Sequence, residues 1–469
     1  MTAVRPPGPA STFGWDTVYA VTLATANRVL AERWTEGEPV RADSGDGHIL
    51  HAVVRAVSIV GGDGVLARLR VDLADAALQR TGQPDRLLGS VGAFVTVPLA
   101  VDDRALRIDP SAARSTVTRL DGDGLGLMDQ ARAKAALQHW LDATPSLMGV
   151  VLAEIDVGAQ SALDGYAWLR PTTVACCLVE ASDPGGHVLA LLAMTGGRPA
   201  PDNPQVSSNA IPPGCDSGFL IASARLLGEM LGPAVISATP HLMVDDLRLE
   251  GHTLALRQPV LLDPTPFNGS TYPTRLVDLT ISLRAGEAIT FEASTEVQLE
   301  TSTWAECRSV HRYTMSSFTN GAGQVSLNLV HDDAGSWTTH GVRSERNLTG
   351  ELIEGISLGV ATLVYGYVAG WVGGLAVGLV STLLTGGRTV QHVVASRFGS
   401  DAAPALDGLA MTATAPFSWP GRSPFHLSTA SLNDSLQLGG ELRPATGAAA
   451  GAQESASSPT PRSATGTNA

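Results

Sequence analysis

The chain has 469 residues, 44% of them hydrophobic and only 16% charged, with a formal net charge of −14. That length sustains two or three self-stabilising domains, and the acidic balance disfavours a nucleic-acid partner, because an acidic chain gains nothing from releasing phosphate counterions, and disfavours non-specific adhesion to anionic membranes. Four cysteines (Cys176, Cys177, Cys215, Cys307) lie outside any C-x-x-C or His-rich spacing, which excludes the common zinc and redox motifs and makes buried free thiols the reading.

The opening "MTAVRPPGPASTFGW" carries one Arg and several prolines but no apolar core, so no Sec signal peptide is expected. The protein is then cytoplasmic or released by a non-Sec route. Residues 1–12 are expected to be a flexible N-terminus. From Trp15 onward, Trp15, Val18, Tyr19, Thr22, Ala26, Val29 and Leu30 recur at the three-and-four spacing of one helical face. The spacing predicts a helix over 15–34, about 30 Å long. Asp16 would then favour its first turn.

Strand-like runs follow. "VLARLRVDL" sets Val65, Ala67, Leu69, Val71 and Leu73 against Arg68, Arg70 and Asp72, and "HILHAVVRAVSIV" and "AFVTVPLAV" flank it as a meander. A second helix is predicted at "MDQARAKAALQHWLDA", then strands at "LMGVVLAEI", "VACCLVE" and "HVLALLAM". Arg198 to Gly214, rich in Pro and Asn, reads as a linker or long loop.

The plan then restarts. "GFLIASARLLGEMLGPAVI" places Phe219, Leu220, Ser223, Leu227, Met230 and Leu231 on one helical stripe, and strands follow again. In "ITFEASTEVQLETSTW", Ile289, Phe291, Ala293, Val297 and Leu299 alternate with Thr290, Glu292, Ser294, Glu296, Gln298 and Glu300. Alternation of that length predicts one wet and one dry face on a strand far longer than the usual five or six residues, in a strongly curved or twisted sheet. The fold class expected is α+β: long helices wrapped in highly curved antiparallel sheets, as two pseudo-repeated halves over 13–214 and 215–442, with a fully packed α+β core as the alternative. Each groove between helix and sheet would be lined by Trp15, Val18, Tyr19, Thr22 and Val29, and by Phe219, Leu220, Leu227 and Leu231.

Residues 355 to 387 contain no charge and nine glycines. The run exceeds the roughly twenty residues a spanning helix needs, but its glycines weaken a helix and Gly373 and Gly374 sit centrally. Three readings stand: a Gly-rich apolar helical hairpin capping the groove, a membrane-inserting element, or a single span. Leu358, Val364, Tyr367, Trp371, Leu375 and Leu379 would form its lipid- or groove-facing side. The tail from Arg443, with no apolar period, is expected to be disordered.

Catalytic motifs do not emerge. There is no phosphate loop, nucleophile elbow or H-E-x-x-H helix, and "DGDGLG" at 121–126 puts Leu125 and Arg132 where calcium ligands belong. Asp245–Asp246, Asp332–Asp333 and the histidines 48, 51, 139 and 241 read as structural. No enzyme, cofactor or metal is expected.

"STFGWDTVYAVTLATANRVL", "GFLIASARLLGEML" and "PFHLSTASLNDSLQLGG" at 424–440 resemble the clostridial forty-seven-kilodalton protein and its OrfX relatives, encoded beside botulinum-type toxins. That family is similar to the TULIP, or tubular lipid-binding, superfamily, whose long helix lies in a curved antiparallel sheet. The resemblance implies a TULIP-like, non-enzymatic protein that binds lipid or another amphipathic small molecule in an elongated apolar groove, as an accessory of a toxin-type gene cluster. Related family proteins, a toxin and peripheral membrane contact are its implied partners. The alternatives are a structural scaffold in a multi-protein secreted complex and a membrane-inserting, pore-related protein acting through 355–387.

Overall fold

A computed structural model describes residues 9–344 and 406–445, apart from 35–36, 103, 110–114, 124, 144–148, 158–163, 181–185, 240, 268–269, 285–287 and 320–322. The glycine-rich segment 355–387 and nearly all of the tail lie outside the described residues.

Three antiparallel sheets dominate. The central one has the order β21-β22-β11-β1-β10-β9, built from β1 (Thr17–Thr22), β9 (Pro171–Val179), β10 (Val188–Thr195), β11 (Ser217–Ala222), β21 (His426–Leu432) and β22 (Ser435–Glu441). Strands from both expected halves therefore share it. The first-half sheet joins β2 (Glu38–Asp43), β3 (His48–Asp63), β4 (Leu66–Arg80), β5 (Arg86–Val101), β6 (Ala105–Ile108), β8 (Val151–Ile155) and β20 (Phe417–Ser418), with β7 (Thr116–Asp121) on β5. The second-half sheet joins β12 (Leu247–Glu250), β13 (Thr253–Leu256), β15 (Ser270–Arg284), β16 (Ala288–Glu300), β17 (Thr303–Thr319) and β18 (Val325–His331), with β14 (Val260–Phe267) on β15 and β19 (Trp337–Ser344) on β17.

The long strands stay regular only between bulges. In β15, Thr274 and Leu276 face inward, the register slips at Val277, and Leu279, Ile281 and Leu283 then take over the inner face. The slip takes Val277 off the inner face, because one extra residue reverses every side chain beyond it. The expected alternation in β16 holds from Ile289 to Val297, with Thr295 also inward, and ends at a register shift at Leu299.

The two long helices expected are not there. Thr17–Thr22 is strand, and the helix that follows, α1 (Leu23–Arg33), has 11 residues, about 16 Å. Strand formers fill positions 17–22, and a strand buried on both faces is apolar at every position, which mimics a helical stripe. Thr22 ends the strand as the N-cap of α1, its side chain accepting from Thr25 N at 3.2 Å. Likewise 217–222 is β11, and α3 (223–238) begins only at Ser223, running through a π-helical turn at Leu227–Leu231. The helix α2 (Leu127–Ala143) forms as expected, and α4 (Asp407–Thr414) completes the helices named here.

One face of the central sheet (Tyr19, Val21, Leu189, Leu191, Phe219, Ile221) belongs to a core continuous with the inner faces of the other two sheets. Its opposite face (Val18, Ala20, Ala190, Leu192, Leu220) is covered by Val206 and Ala210 of the 198–214 loop and by Ala10. The loop is thus a lid on the sheet. Segment 9–12 is not free either: Ala10 is fully buried and its N–H donates to Asn433 O at 3.1 Å.

Candidate functional site

The three segments that carry the family resemblance meet as neighbouring strands. β22, β11 and β1 lie side by side, and β1 and β11 run antiparallel with Tyr19 opposite Phe219 and Val18 opposite Leu220. Asp216 stands two hundred positions after Asp16, so Tyr19 and Phe219 are the equivalent residues of the repeat and face each other across a local two-fold. The hydrogen bonds obey the same symmetry: Thr22 N donates to Asp216 O at 3.0 Å, and Ala222 N to Asp16 O at 2.9 Å.

The aspartate side chains extend the symmetry into ion pairs. Asp16, 1% exposed, accepts from Thr195 N (2.9 Å), Thr195 Oγ1 (3.0 Å) and Arg198 Nη1 (2.7 Å), and Arg225 of α3 approaches it at 4.0 Å. Asp216 accepts from Thr25 Oγ1 (3.3 Å) and Arg28 (3.2 Å) of α1 and from Leu442 N (3.0 Å). Each carboxylate ties the start of its own strand to the helix following the partner strand. Asp16 was expected in a first helical turn; it instead anchors the loop at Arg198 to the sheet. Phe13 and Gly14 turn the chain into this position with φ of 50° and 88°.

The proposed groove residues divide between the two faces. Tyr19, Val29, Phe219, Leu227 and Leu231 lie in the main core, whereas Trp15, Val18 and Leu220 lie under the loop. All eight are at most 1% exposed. Thr22 caps α1. The structure brings them together as packed sheet and helix surfaces, not as one helical stripe. Tyr19 is the centre of an aromatic group, with Phe219, Phe417, Trp419 and Phe425 at 5.9 to 6.1 Å between centroids. Burial, and then the charge of Asp216, pushes its phenol far above the ordinary range. Leu358, Val364, Tyr367, Trp371, Leu375 and Leu379 lie outside the described residues.

The inner face of the second-half sheet has a different character. Phe291 and Tyr313 pack edge to face at 5.8 Å, and beyond them small side chains occupy the centre: Ala293, Thr295, Ala305, Cys307 and Ser309, each at most 2% exposed. Polar atoms are set among them. Thr295 Oγ1, Ser309 Oγ and His311 Nε2 are buried with no hydrogen-bond partner among the described residues. His311 Nδ1 lies 3.3 Å from His331 Nε2, and His331 Nδ1 lies 2.7 Å from Asp333. Burial, and then the neighbouring His331, pushes the His311 pKa down. Sequence reasoning missed this row, although period two through "CRSVHRYTM" puts Cys307, Ser309, His311 and Tyr313 on one face.

On the outer face, cations are paired. Glu296, 8% exposed at its side chain, accepts from Arg275 Nε at 2.7 Å and Arg343 at 3.0 Å, and Arg308 pairs with Glu292. Clefts elsewhere are polar. One of about 450 Å³ is lined by Arg55, Arg70, Asp72, Asp121 and Asp123, and another of about 530 Å³ by Arg28, Cys215, Asp216, Glu441 and Arg443. Cys176 and Cys177 are buried thiols, pushed up to about 12 and about 11 mainly by desolvation. Among the described residues, no three His, Cys, Asp or Glu side chains are grouped to hold a metal, and no helix is long and apolar enough to cross a membrane.

Comparison with known proteins places this arrangement. Residues 12–440 match the family described as OrfX-like, Protein OrfX2/OrfX3/P47. The chain is 22% identical to Protein OrfX3 of Paraclostridium bifermentans, across 92% of this chain and 98% of that protein. It is 23% identical to Protein OrfX3 of Clostridium botulinum (strain Kyoto / Type A2), across 92% and 99%. The structure of P47 from Clostridium botulinum A2 superposes with a TM-score of 0.64 at 13% identity, covering 92% of this chain and 98% of that one. The fold is therefore shared with P47, and the chain belongs to the OrfX-like family of OrfX2, OrfX3 and P47 proteins.

Proposed function

We propose that the protein is a non-enzymatic binder of lipid or another amphipathic small molecule, acting as an accessory component of a toxin-type gene cluster with related family proteins as partners. The observation that carries this reading is the inner face of the second-half sheet, where strands of 13 to 17 residues present Leu279, Ile281, Leu283, Ile289, Phe291 and Val297 around a centre of small side chains. An acyl chain would gain about 0.8 kcal/mol per methylene buried there. Family membership supports the accessory role. Contact with a membrane surface, through 355–387 or otherwise, belongs to the same proposal.

The test is direct. Full-length protein purified from cells is extracted for lipid and analysed by mass spectrometry, then titrated with a fluorescent fatty acid. Stoichiometric co-purified lipid or saturable uptake is expected. Absence of both would leave the scaffold reading.

A specific observation favours that scaffold reading around the central sheet. The proposed lining residues there, Val18, Tyr19 and Val29 of the first half and Phe219, Leu220, Leu227 and Leu231 of the second, are all at most 1% exposed. There the filled interior would serve as a rigid body for assembly. Co-purification with tagged neighbouring gene products tests it, and a protein that stays monomeric with every neighbour sinks it.

A further inference from the structure

The buried polar row on the inner face of the second-half sheet is chemically specific. Thr295 and Ser309 lie diagonally on β16 and β17, and Ser309 and His311 are two apart on β17, so successive polar groups are about 7 Å apart along one line. Thr295, Ser309 and His311 are 2%, 1% and 9% exposed, yet each has a buried polar atom with no partner among the described residues. Leaving such atoms unpaired is costly, because each gives up its hydrogen bonds to water without a replacement. A fold that keeps three in a row has a use for them.

The roles of the atoms follow from the chain of contacts. Asp333, an acceptor, takes the Nδ1 hydrogen of His331, which leaves His331 Nε2 as an acceptor. His331 Nε2 then takes the Nδ1 hydrogen of His311, and His311 Nε2 is left as a bare acceptor facing the interior. Two hydroxyl donors and one imidazole acceptor therefore line the face. Its described residues include no Lys or Arg; Arg275, Arg308, Arg312 and Arg343 project from the other face, each against a carboxylate.

We propose that this face holds the polar end of an uncharged acyl ester with a free hydroxyl, of the acylglycerol class: Thr295 and Ser309 donate to ester oxygens and His311 Nε2 accepts from the ligand hydroxyl. This assignment rests on the amphipath-binding reading above and adds the head-group class. An anionic phosphate head would meet no cation on this face and would lose its hydration uncompensated.

The experiment uses the full chain mixed with phosphatidylcholine vesicles carrying fluorescent diacylglycerol or fluorescent phosphatidic acid of the same acyl length. Label retained after the vesicles are removed is the readout. Wild type is expected to retain diacylglycerol at least tenfold over phosphatidic acid. The Thr295→Val, Ser309→Ala double variant should lose at least tenfold of that retention with an unchanged far-ultraviolet circular dichroism spectrum, and outer-face Arg308→Ala should retain it. The isosteric Thr295→Val alone, run in case the double variant fails to fold, should lose about threefold. A preference for phosphatidic acid, or unchanged retention in folded variants, overturns the head-group assignment and spares the amphipath reading; unchanged retention would mean that water alone pairs these atoms. Retention of neither lipid overturns both.

Discussion

Tyr19 and Phe219 face each other across β1 and β11 with ring centroids 5.9 Å apart, two equivalent positions of a repeated unit brought into contact by its own two-fold. The pair joins the expected halves through shared hydrogen bonds instead of a linker. Its contribution is measurable. Tyr19→Leu and Phe219→Leu should each destabilise, and their double-mutant cycle should give a coupling of about 1 kcal/mol, the usual excess of an aromatic pair over plain burial. Additive effects in urea unfolding would refute a direct contact.

Asp16 holds the 198–214 loop to the central sheet. Arg198→Ala leaves a carboxylate that is 1% exposed without its nearest cation, and Asp16→Ala strands the Thr195 N–H. Each should cost about 2–3 kcal/mol in equilibrium unfolding. A loss below about 0.5 kcal/mol for both would show that the anchor is dispensable.

Gly218 is required because the loop passes close over β11. A Cβ there would overlap the Ala210 carbonyl oxygen. Gly218→Ala should therefore loosen the loop, and thermolysin should cut before Val206, which is buried in wild type, at least tenfold faster than in wild type. Equal cleavage rates would disprove the close approach.

His311 gives the fold a pH dependence of definite sign. Its folded-state pKa is depressed, mainly by burial and then by His331, so between that value and its ordinary 6.5 the unfolded chain binds the extra proton. Stability from this group is present above about pH 6.5 and is lost as pH falls through the folded pKa. His311→Phe should flatten the decline of the thermal midpoint between pH 7 and pH 5. Parallel curves for variant and wild type would assign the decline to other groups.

Much was legible in the sequence. Period two read the inner and outer faces of β4 from Ala67 to Leu73 and of β16 from Ile289 to Val297, and the helix expected over 128–143 is α2, because in each element one face is wet; Val65, expected inward, lies before β4 and is exposed. The family resemblance is carried by strands that turn out to be adjacent. The two misread helices have one cause. Strands β1 and β11 are buried on both faces, so their apolar runs carry no period and were absorbed into the helices that follow.

What the chain's residues determined alone was local: which stretches alternate, where a cap such as Thr22 starts a helix, and how acidic and cation-poor the surface is. Only the tertiary structure decided that Asp16 meets Arg198, that Tyr19 meets Phe219, and that Thr295, Ser309 and His311 share a buried face. Those relations join residues that are distant in sequence. They depend on strand order and register, which hydrophobic pattern constrains for a single strand but does not specify between strands, since any apolar face can be buried against several others.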